Sequence, residues 1–116
     1  MSRERIFEVL DALDLTNYIK SLPDGINTMI GAAGISLPNS IEKKVIIARV
    51  VCAHPKLLLM EDPVKDLDEH DKKRIIDYLC ADENEWTLIV VSNESYFFEK
   101  CDRTAALAEG SIKTCE

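Results

Sequence analysis

The sequence predicts an α/β domain: parallel strands alternating with helices, followed by a C-terminal hairpin. Three observations lead there. Two short apolar runs, residues 57–60 and 88–91, are continuous rather than alternating, as in strands buried on both faces of a parallel sheet. Segments with apolar residues at helical spacing precede, separate and follow them. Near the C-terminus, two strand-like runs flank the turn dipeptide Glu109-Gly110.

Each element has its own reason. Ser2 can cap a first helix whose apolar face is Ile6, Val9, Leu10 and Leu13. Residues 17–22 add a short helical turn, and Pro23-Asp24-Gly25 reverses the chain. Residues 26–36 show no periodicity and predict irregular structure. A helix then runs from residue 38 or 39 to 53, with Pro38 near its first position and Asn39 or Ser40 as cap. Ile41, Val45, Ala48 and Cys52 share its apolar stripe, and Pro55 stops it. Residues 56–61 form a strand, and Asp68 caps a helix over 69–81 with Ile75, Ile76 and Leu79 inward. A second buried strand spans 86–92, a short helix 96–100, and the hairpin strands 103–108 and 111–115. Phe97 and Phe98 read as core packing. So narrow a sheet leaves edges to cover, which implies that the chain pairs with itself or that more sequence belongs upstream.

Composition removes several function classes. The 116 residues suffice for one small core, and 47% hydrophobic content is that of a folded protein, not a disordered one. A net charge of −7 argues against a nucleic-acid partner. No apolar run is long enough for a membrane span, and the N-terminus lacks the apolar core of a signal peptide. The four cysteines are scattered without a CxxC or Cys/His cluster, so they read as reduced cytosolic thiols and not as a metal site. His54 and His70 read as surface or capping residues.

The chemistry concentrates after the first strand, in LLLMEDP, residues 57–63. Acids at the carboxyl end of a parallel strand stand where α/β proteins build ligand sites. Glu61 and Asp62 can hold Mg²⁺ and orient a water toward a phosphate, although strand ends also carry acids as solvated caps. The order of the pieces says more. LPDGINTMIGAAGISLP, a helix ending in Ala48-Arg49, LLLMEDP, DLD, TLIVVSN, CDR and AEGSI follow one another. This order resembles the C-terminal half of the nucleotide-binding domain of an ATP-binding cassette (ABC) transporter, of exporter type. A generic α/β fold with chance echoes would not keep these motifs in register.

The resemblance implies a partial P-loop NTPase (RecA-like) core with part of the helical subdomain. Residues 1–54 then correspond to the helical subdomain and signature helix, and 55–116 to the core from Walker B onward. At the site positions the sequence departs from the family. The signature LSGGQ is replaced by Leu37, Pro38, Asn39, Ser40 and Ile41. Proline removes one N–H donor, and side chains stand where glycines admit a phosphate. Glu61 takes the Mg²⁺-linked aspartate position and Asp62 the general-base glutamate position, each with the other's length. Asp68 keeps the D-loop aspartate, while Asn93 replaces the switch histidine and offers no titratable imidazole. No GxxxxGK[ST] occurs in these residues; in the family it lies upstream of the matched segment.

The resemblance therefore implies ATP and Mg²⁺ only if an upstream P-loop completes the site, and neither cofactor for this chain alone. Its implied partners are the rest of the nucleotide-binding domain, a second ATPase subunit and a membrane domain, on the cytoplasmic face of the membrane. The isolated chain could also form a homo-oligomer. Two functions remain open at this point: a segment of an ABC ATP-binding subunit with inactive residues, or a pseudo-ATPase module that packs on a partner protein.

Overall fold

A computed structural model describes residues 3–27 and 36–115. The expected Ser2 cap and most of the stretch read as irregular lie outside the described residues. Five helices are described: α1 (Arg3–Ala12), α2 (Thr16–Ser21), α3 (Asn39–Val51), α4 (Glu69–Leu79) and α5 (Ser95–Lys100). Four strands accompany them: β1 (Leu57–Glu61), β2 (Thr87–Val91), β3 (Thr104–Ala108) and β4 (Ser111–Cys115). A single 3₁₀ turn, Gly25–Asn27, follows α2.

The core lies between the helices and one face of a two-stranded parallel sheet. Val9, Leu10 and Leu13 descend from α1 and its end, Ile47 and Val51 from α3, and Ile75, Ile76 and Leu79 from α4. Leu58 of β1 and Phe97 of α5 join it, both almost fully buried. Each such side chain contributes roughly 1.5–3 kcal/mol by leaving water. Two arginines from distant elements close helix ends. Arg74 donates to the carbonyls of Ala12 (3.1 Å) and Asp11 (2.9 Å) at the end of α1, and Arg5 donates to that of Val51 (3.1 Å) at the end of α3. Both occupy carbonyls that a helix C-terminus leaves without intrahelical partners.

Four expectations change. First, β1 and β2 pair in register, Leu57 opposite Thr87 through Glu61 opposite Val91, but they are covered on one face only. Leu58, Met60, Leu88 and Val90 turn toward the helices, whereas Leu57 (51% exposed), Leu59 (68%), Ile89 (53%) and Val91 (66%) face outward. The continuous apolar run suits two covers, and the described residues supply one. Second, the most buried line of α3 is Lys44, Ile47, Ala48 and Val51; Ile41 and Val45 flank it half-buried. Third, β3 and β4 form a separate antiparallel pair and do not extend the parallel sheet. Its turn holds Glu109 at φ 51° and Gly110 at φ 78°, the left-handed pair a two-residue hairpin turn requires. Fourth, Phe98, read as core, is 51% exposed, while its neighbour Phe97 is buried as expected.

Candidate functional site

The acid pair stands where β1 ends. Glu61 is its last residue, and the Asp62 N–H still bonds the Val91 carbonyl of β2 at 2.8 Å. Asp62 then adopts φ 46°, which turns the chain out of the sheet; aspartate tolerates this region better than most residues. The following loop is pinned by Val64 and Leu67, both buried, and crosses Asp66 at φ 66°. It ends at Asp68, whose Oδ1 accepts the Asp71 N–H at 2.7 Å. The expected cap of α4 is therefore present, and the Asp68 carboxylate serves the helix start.

Asn93 lies two residues beyond the end of β2, exposed, on the same carboxyl edge as Glu61 and Asp62. Its loop is braced on both sides. Ser92 Oγ accepts the Glu94 N–H at 3.0 Å, and the Glu94 carboxylate pairs with Lys72 of α4 at 3.1 Å. That hydrogen bond, with the charges of Glu94 and Glu69, holds the Lys72 ammonium above its ordinary range despite some desolvation.

The start of α3 differs from expectation. Pro38, not Asn39 or Ser40, is the N-cap, no side chain caps the helix, and the Pro38 carbonyl accepts the Glu42 N–H at 2.9 Å. The ring fixes φ at −55° and preorganises the first turn without a polar cap. Leu37 is half-buried, Asn39 is exposed and Ile41 packs toward the core. One turn on, Lys43 Nζ donates to the Lys65 carbonyl in the loop after the acids. Lys43, Ile46 and Val50 line one side of a groove of about 300 Å³; Leu59, Met60, Glu61 and Asp62 line the other. The fold thus gathers Glu61, Asp62 and Asn93 at one sheet edge with α3 alongside. Among the described residues, no hydrogen bond joins residues 37–40 to any of the three.

Both acids are exposed, and among the described residues no cluster of three or more potential metal ligands forms. Mg²⁺ needs near-octahedral oxygen ligation, commonly carboxylates completed by phosphates and water. Two adjacent carboxylates do not make that site by themselves.

A structural residue escaped the sequence reading. Lys44 is 5% exposed, its Nζ 2.8 Å from Asp71 Oδ1, and the pair joins α3 to the first turn of α4 behind the acid loop. The signal was there: Lys44 lies three, four and seven residues before Ile47, Ala48 and Val51, on the buried line.

No protein-family model matches the chain. Individual relatives do. It is 30% identical over 110 residues to ABC transporter B family member 13 of Arabidopsis thaliana, and 31% identical over 110 residues to ATP-binding cassette sub-family B member 5 of Mus musculus. Each match covers 95% of this chain and 9% of the relative. It is 28% identical over 109 residues to the multidrug resistance-like ATP-binding protein MdlB of Buchnera aphidicola, covering 94% of this chain and 19% of that protein.

The chain is a homologue of a segment of the ABC transporters. The ABC relatives are B-family and multidrug resistance proteins, which fits the exporter type, and the chain spans a small part of their length. Among the described residues, no helix is long and apolar enough to cross a membrane.

Proposed function

We propose that this chain is the C-terminal half of the nucleotide-binding domain of an exporter-type ABC subunit, and that it is catalytically silent as it stands. Residues 1–54 act as the helical-subdomain segment with the signature helix, and 55–116 as the P-loop NTPase core from Walker B onward. The acid pair carries the reading. Glu61 and Asp62 lie at the carboxyl edge of a parallel strand, where a nucleotide site belongs, but in transposed order. A carboxylate misplaced by about 1 Å costs on the order of a hundredfold in rate. Asn93 in place of a switch histidine and Pro38 through Ile41 in place of a glycine-rich signature weaken the site further.

In the whole protein, ATP with Mg²⁺ would be gripped by a P-loop supplied from outside these residues. The partners would be the remaining core, a second ATPase subunit and a membrane domain at the cytoplasmic face. ABC sites are composite: one subunit supplies Walker B and switch residues, the other the signature. A chain altered in all three weakens both sites of a pair.

The bare apolar sheet face favours a second reading, in which the chain serves as a pseudo-ATPase module held on a partner protein. Turnover separates an active segment from a silent one. The 116-residue chain is expected to release no phosphate from Mg²⁺-ATP above buffer. Mg²⁺-dependent release abolished by Asp62→Asn would overturn the silent reading.

A further inference from the structure

Cys80 closes α4 and Cys101 closes α5. Each N–H bonds back to the carbonyl four residues earlier, Cys80 to Ile76 at 3.0 Å and Cys101 to Phe97 at 2.8 Å. The cysteines are 21 residues apart in sequence, yet the path from α4 through β2 to α5 brings their sulfurs to 4.0 Å. Both are free thiols, partly buried against the core. Their helices are already tied beside them: Tyr96 Oη donates to Asp77 Oδ1 at 2.6 Å, and Lys100 Nζ lies 3.5 Å from the same carboxylate. The approach of the sulfurs is thus fixed by two anchored helix ends. A disulfide needs about 2.05 Å between sulfurs, so each must advance by about 1 Å, a movement that small side-chain rotations supply.

We infer that Cys80 and Cys101 form a site for a reversible intramolecular disulfide, with a glutathione disulfide-type oxidant as co-reactant. One protein thiolate attacks the oxidant's S–S bond and releases one glutathione. The other attacks the protein sulfur of the mixed disulfide and releases the second. Two protein S–H bonds are lost and one S–S bond forms, and the two electrons and two protons pass to the two glutathione thiols. Burial first, and Cys101 beside it second, push the Cys80 thiol up to about 12, so the exchange is slow at neutral pH and accelerates with alkali.

The test treats the reduced 116-residue chain with glutathione disulfide at pH 7 and pH 9, alkylates the remaining thiols, and maps peptides by mass spectrometry without reduction. The expected product is a monomer carrying a Cys80–Cys101 cross-link. It forms faster at pH 9, opens with dithiothreitol, and raises the thermal midpoint by about 5 °C or more through closure of the intervening loop. Cys80→Ser should leave Cys101 only as a mixed disulfide with glutathione. In urea the preference for this pair should vanish. Cross-links running instead to Cys52 or Cys115, disulfide-linked dimers, or stable mixed disulfides at both positions would overturn the inference.

Discussion

Lys44 is buried on the line of α3 that also holds Ile47, Ala48 and Val51, with its ammonium 2.8 Å from the Asp71 carboxylate. Removing one member leaves the other buried and uncompensated, whereas replacing both with apolar groups does not. Asp71→Asn should therefore lower the stability of the chain by about 3 kcal/mol in urea denaturation, and Lys44→Met in the same chain should recover most of it. Cys80 makes a pH prediction. Its folded-state value lies well above the ordinary thiol value of 9.0, so the native state holds a proton that the unfolded state gives up. That contribution is complete below pH 9 and is lost as pH climbs toward about 12; Cys80→Ser should flatten the fall in stability across this window, read under reducing conditions. Burial raises it most, Cys101 and Asp77 add to the rise and Lys100 opposes it; of these three groups only Asp77 is near Cys80 in sequence. Spacing could point to Lys44, but the meeting of Cys80 with Cys101 depends on the packing of α5 against α4, which no local pattern encodes.

At the scale of elements, local chemistry was the better guide. The Asp68 cap, the inward Ile75, Ile76 and Leu79, and the left-handed turn at Glu109-Gly110 were all readable, because each depends on residues within one turn of helix or hairpin. The strands were legible as strands but not in their environment. An unbroken apolar run states that two covers are suited to it, not that both are present. Leu58 and Leu59 are adjacent and separate the cases: Leu58 is 1% exposed and Leu59 is 68% exposed. Leu58→Ala should cost about 2–5 kcal/mol, and Leu59→Ala less than about 1 kcal/mol, in parallel denaturant titrations. Comparable losses would mean that the outward face is covered in the isolated chain. The candidate site was legible in part. Sequence order placed Glu61 and Asp62 at the carboxyl end of a strand, and the pairing of β1 with β2 brings Asn93 to the same edge, whereas the choice of Pro38 as the uncapped start of α3 follows from ring geometry competing with two polar caps.

The whole molecule is extended, 49 × 27 × 24 Å, with a radius of gyration of 15.7 Å. A compact chain of this size is expected nearer to about 13 Å. The separate hairpin, with Leu107 and Ile112 each 74% exposed, and the uncovered sheet account for the difference in physical terms. Large apolar side chains left on one sheet face seek a partner surface. On the proposed reading, that surface belongs to the P-loop-bearing half of an ABC nucleotide-binding domain. The most direct measurement is co-purification of the chain with such a half-domain from a B-family relative, with affinity then read by titration calorimetry. A one-to-one complex is expected, weakened about tenfold or more by Leu59→Glu with Ile89→Glu, substitutions on the bare face that leave the helical core untouched. A chain that ignores the P-loop half, or binds it equally well with both glutamates in place, would contradict it.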